Sequence, residues 1–92
     1  MYVTVRRYAN AKALADAMAA SSGEVQKMIG DVHGFVSYYS TRDGDNVTSV
    51  TVCNDKAGCD ESTRLAGQWV RENVTSPPGA PEVSGGEVFI NF

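Results

Sequence analysis

The sequence predicts an α+β fold: a four-stranded antiparallel sheet with helices on one face. Three observations predict it. Runs rich in β-branched and aromatic residues occur near the start, twice in the middle and at the end of the chain. Two stretches with apolar residues at helical spacing separate them. An Asp-Gly turn joins the two middle runs. The order is β-α-β-β-α-β within 92 residues, the split β-α-β plan of ferredoxin-like folds.

In Tyr2 to Tyr8, Val3 and Val5 alternate with Tyr2, Thr4 and Arg6, the period of a strand. Asn10 is placed to cap the helix that follows, because its side chain accepts from free amides. Ala11 to Ile29 is helical, with Leu14, Met18, Val25 and Met28-Ile29 on one face. Ser21-Ser22-Gly23 weakens its middle, so a kink or a break is expected there. Gly30 ends it, as a residue free to turn left-handed. Gly34 to Thr41 is the second strand, Arg42 to Asn46 the hairpin turn and Val47 to Cys53 the third strand. Asn54-Asp55 offers a cap for a second helix that carries Leu65, Ala66, Trp69 and Val70 and ends near Asn73. Residues 75–86 hold all three prolines and read as a loop. Glu87 to Phe92 reads as the last strand, in the sheet and needed for folding.

The length suits one domain, residues 1–92. A net charge of −3 excludes a global field for nucleic acid. Arg6 and Arg7, the only adjacent basic pair, read as a solvated strand edge. No stretch is apolar enough to span a bilayer and the first residues lack a signal-peptide pattern, so a cytoplasmic protein is expected. The spacing of Cys53 and Cys59 matches no metal or redox motif, and they read as two reduced, partly buried thiols. With one histidine in the chain, no metal site is expected.

The segment His33-Gly34-Phe35-Val36-Ser37-Tyr38-Tyr39 resembles the entry to the second strand of antibiotic-biosynthesis-monooxygenase-like domains, which belong to the dimeric α/β-barrel superfamily. His33 stands where members often carry proline. Val50 to Ser62 resembles their strand-to-helix junction, and Gly86 to Ile90 their last strand. The resemblance implies a dimeric barrel, built by two sheets face to face. Many members place a tryptophan at the strand end and a histidine two helical turns later. Here these positions are Asn54 and Ser62, so the family's most chemically suggestive pair is absent.

Dimerisation also follows from the residues. Neither face of Val47 to Cys53 carries a charge, and helices cover only one. The partner expected is a second copy of the chain. The predicted function is binding of a small apolar or aromatic molecule between sheet and helices. The lining residues are Trp69, Tyr38 or Tyr39, and Met18. Adjacent tyrosines on a strand point to opposite faces. His33 is the acid–base candidate, as the one side chain with a near-neutral ordinary pKa. Two alternatives stand beside this reading: a cofactor-independent monooxygenase acting on an aromatic or quinol substrate, and a non-catalytic structural dimer. None calls for a cofactor.

Overall fold

A computed structural model describing residues 1–92 has seven elements. They are β1 (Tyr2–Tyr8), α1 (Lys12–Ala20), α2 (Ser22–Gly30), β2 (Phe35–Asp43), β3 (Asn46–Cys53), α3 (Lys56–Asn73) and β4 (Glu82–Glu87). The strands form one antiparallel sheet in the order β2-β3-β1-β4. This is the ferredoxin-like α+β arrangement, with β1 and β3 central.

The first helical stretch is broken. Ser21 ends α1 and precedes α2, at φ −122° and ψ 32°. Asn10 does not cap α1; Ala11 takes that place without a side-chain bond, and Asn10 turns left-handed at φ 51°. The start of α1 is held instead by the Ala11 amide, which donates to the Asp45 carbonyl (2.6 Å) in the β2–β3 turn. Gly30 closes α2, but the cap is Asp31 at φ −83°. The left-handed glycines are Gly34 (φ 81°), which leads into β2, and Gly44 (φ 58°), which makes the hairpin turn. Asp55 caps α3 as expected, accepting from the Gly58 amide at 3.0 Å.

The last strand differs most from the sequence reading. The segment that pairs with β1 is Glu82–Glu87, which lies in the expected loop up to Gly86 and meets the expected strand only at Glu87, with Ser84 opposite Val5 and Gly86 opposite Val3. Gly85 suits close pairing, since a Cβ there would lie 2.6 Å from the Val3 carbonyl oxygen. The apolar run Val88 to Phe92 lies beyond the sheet. Val88 still donates to the Met1 carbonyl, but Phe89 is 92% exposed and Ile90 and Phe92 are also exposed.

Register assigns the two faces. Thr4, Arg6 and Tyr8 share the helix-covered face with Thr51, Ser49 and Val47 and are buried. Val3 and Val5 stand beside Val52 and Val50 on the other face, which no helix covers and where they are half-buried. The paired arginines therefore separate. Arg7 is exposed, though on a central strand rather than the expected edge, whereas Arg6 is only 1% exposed. β1 is a central strand, so its inward residues lie beneath α3.

A smaller core beside the main one contains Val32, Cys53 and Cys59. Both thiols are free and fully buried, more so than their spacing suggested. The Cys59 thiol donates to the Tyr2 carbonyl at 3.3 Å. Desolvation, reinforced by neighbouring Cys59, raises the Cys53 pKa from 9.0 to about 11. Below pH 9 both states carry the neutral thiol, and its contribution to stability is intact. Above that the unfolded chain ionises first, so stability falls as pH rises toward 11. In native buffer at pH 8, iodoacetamide should therefore modify neither cysteine, while in urea it should modify both. Rapid native labelling, read by mass spectrometry, would contradict the burial.

Candidate functional site

The site lies between the covered sheet face and the three helices. From α3, spacing of three and four residues points Ser62, Ala66 and Trp69 at the sheet. Trp69 is 6% exposed, and its indole N–H donates to an oxygen of Glu24 on α2 at 2.9 Å. That bond ties α3 to α2 and leaves the ring against the interior. From the sheet come Arg6, Tyr8, Tyr38, Val47 and Ser49. Met18 completes the site from α1.

Two neighbouring spaces result. An outer groove of about 720 Å³ runs between α1–α2 and β2, floored by Val25, Ile29, Phe35, Tyr38 and Val47. Its volume is within the range of small-molecule sites. Polar groups rim it, among them Ser40, Thr41 and Arg42. Arg42 donates to Asp16 at 2.9 Å, a clip from β2 to α1. Bonds from Lys12 and then Arg42 hold the Asp16 carboxyl below its ordinary pKa. Further in lies a cavity of about 20 Å³ bounded by Arg6, Tyr8, Tyr38, Ser49 and Trp69. Groove and cavity share Met18, Val25, Ile29, Tyr38 and Val47 as walls.

Arg6 is the residue that the sequence reading missed. Its Nε donates to Ser49 Oγ (3.2 Å), and Nη1 to Ser62 Oγ (3.3 Å) and Thr63 Oγ1 (3.0 Å). Nη2 donates to Thr51 Oγ1 at 2.9 Å. Ser62 in turn donates to the Cys59 carbonyl at 2.7 Å, which fixes its oxygen. No ion pair of the protein includes Arg6. Tyr8 lies beside it; burial raises the phenol pKa and the Arg6 charge opposes the rise. The available signal was the in-phase placing of Arg6 with Ser49 and Thr51, inward hydroxyls on the neighbouring strand.

The other sequence candidates divide. Trp69, Tyr38 and Met18 meet at the inner cavity. Tyr39 does not: it sits opposite Val50 on the uncovered face and is 66% exposed, because adjacent strand residues alternate. His33 is exposed in the turn before β2 and lines neither space. Asn54 is exposed too, its amide bonded to the Gly34 carbonyl at 2.8 Å.

Sheet order and one-sided helices thus define a ferredoxin-like α+β protein with a groove and a cavity between its layers. The chain matches no protein-family model and no curated protein. Solved structures match over nearly the whole length. A putative antibiotic biosynthesis monooxygenase from Bordetella bronchiseptica superposes with a TM-score of 0.71 at 12% identity, covering 97% of each chain. SnoaB, a cofactor-independent oxygenase from Streptomyces nogalater, gives a TM-score of 0.65 at 14% identity, over 98% of this chain and 94% of that one. The monooxygenase ActVA-Orf6 of Streptomyces coelicolor, in complex with nanaomycin D, gives 0.61 at 16% identity, over 98% and 92%. The fold is that of antibiotic-biosynthesis-monooxygenase-like domains; identities this low carry the likeness no further than fold.

Proposed function

We propose that the protein is a homodimer that binds a small aromatic molecule in the groove of each subunit. The observation that carries the reading is the apolar groove lying against a cavity walled by Tyr8, Tyr38 and Trp69, the two sharing Met18, Val25, Ile29, Tyr38 and Val47 as walls. Aromatic walls favour a flat ligand through stacking and edge contacts. The uncovered sheet face supports the dimer. Val3, Val5, Val50 and Val52 there are half-buried, Tyr39 is exposed, and three apolar side chains of the C-terminal run stand in solvent. A reducing, cytoplasmic setting suits the two free thiols.

The likeness to SnoaB and ActVA-Orf6 favours a second reading, a cofactor-independent monooxygenase. In that chemistry the ionised substrate supplies electrons to oxygen. The protein contributes orientation, exclusion of water and hydrogen-bond donors. Arg6 and Tyr8 are donors of this kind.

Trp69 is the only tryptophan, so its fluorescence reports the inner cavity directly. Titration with 1,4-naphthoquinones should quench it saturably, and oxygen uptake with the matching hydroquinones separates enzyme from binder. Linear, non-saturating quenching together with calorimetric silence would remove the groove as a ligand site.

A further inference from the structure

The inner cavity ends on a positive charge that nothing neutralises. Arg6 is 1% exposed and forms four bonds, all to neutral hydroxyls. Guanidinium carries five N–H donors, and beyond these four hydroxyls it is hydrogen-bonded only to the neutral Tyr8 phenol. Hydroxyls satisfy hydrogen bonds but cancel no charge. Burial of an uncompensated ion is costly, and an apolar side chain of similar length would avoid that cost. Packing alone therefore gives no reason for an arginine here.

Two neighbours indicate what the charge meets. Tyr8 keeps its proton at neutral pH, because desolvation raises its pKa despite Arg6. Its O–H is a donor next to the guanidinium. The cavity that both border holds about 20 Å³, room for a single water-sized atom. A carboxylate or a phosphate is too large for it. One oxygen projecting from a ring is not, and the apolar groove beyond is wide enough for the ring.

We propose that Arg6 and Tyr8 form an anion-binding end to this site, which selects planar aromatic ligands with an ionised ring oxygen, a phenolate or an enolate. The inference rests on the groove being a ligand site. The ring lies along Ile29, Val47 and Phe35, and its charged oxygen enters the inner cavity between the guanidinium and the phenol. Ser49, Thr51, Ser62 and Thr63 hold the guanidinium plane in position. Charge-assisted bonds of this type are about twice as strong as neutral ones.

The test uses two probes on the full chain at neutral pH. 2-Hydroxy-1,4-naphthoquinone is an anion there, and 2-methoxy-1,4-naphthoquinone is a neutral molecule with the same rings. Trp69 quenching and calorimetry give both affinities. The hydroxyquinone should bind at least about tenfold tighter. Arg6→Met should erase that preference by weakening the hydroxyquinone, and Arg6→Lys should retain part of the preference. Equal affinities for the wild-type protein overturn the proposal without any variant, and so does a preference that survives Arg6→Met. If Arg6→Met does not fold, Tyr8→Phe must narrow the gap between the probes; an unchanged gap overturns the pairing. Binding of neither probe removes the groove reading and this inference together, whereas equal binding of both removes this inference alone.

Discussion

Sedimentation at micromolar concentration should give a dimer, and a chain that stops at Val88 should give a folded monomer. Phe89, Ile90 and Phe92 stand outside the sheet and are exposed, so they add little to the fold of one subunit. On association the two tails of a dimer gain what each can bury. Even one side chain per tail is worth about 1.5–3 kcal/mol if fully buried, or about 3–6 kcal/mol for the pair. That difference weakens association about 10²- to 10⁴-fold. Far-ultraviolet circular dichroism of the shortened chain should match the parent, since β4 ends at Glu87. Tyr39→Asp, which places a charge on the uncovered face, should dissociate the dimer in the same way. A monomeric parent would refute the assembly. A shortened chain that loses its secondary structure would show that the tail serves the fold, and an unaltered dimer would show that the tail lies outside the interface.

Thr51→Val should cost about 1.5–3 kcal/mol of stability in the parent protein, and far less once Arg6 is methionine. Thr51 is fully buried and is the hydroxyl acceptor of Arg6 Nη2. Its loss strands a donor of a charged group in the interior. In the Arg6→Met background the same methyl-for-hydroxyl exchange strands nothing, and the apolar pair packs in similar volume. Arg6→Met alone should be neutral or stabilising, as is common when a buried charge is replaced by an apolar side chain. Urea denaturation of the four proteins completes the cycle, and a coupling of about 1 kcal/mol or more is expected. An equal cost of Thr51→Val in both backgrounds would mean that the hydroxyl cradle does not hold the charge. A stable Arg6→Met protein that no longer favours the anionic quinone would show that Arg6 is kept for its ligand rather than for the fold.

The sequence by itself determined the order of strands and helices, the hairpin and the second long helix. Each rests on local chemistry. Asp43-Gly44 turns because glycine accepts φ 58°. Asp55 caps because its carboxylate reaches an amide three residues on. Val47, Ser49, Thr51 and Cys53 share a face because strand residues alternate. From the same alternation it was legible that Tyr38 and Tyr39 part, and helical spacing pointed Trp69 inward.

Tertiary structure alone decided three things. It chose Glu82–Glu87 over the more apolar Glu87 to Phe92 as the last strand. That pairing depends on how closely small residues approach β1, a contact between the two ends of the chain that no local pattern encodes. It decided which face of β1 lies under the helices and so buried Arg6 while leaving Arg7 in solvent. It also gathered four hydroxyls from β3 and α3 around that guanidinium. A charge on a strand reads as surface because burying it alone is prohibitive. It becomes tolerable only when distant residues bring acceptors to it, and their positions relative to one another exist only in the folded chain.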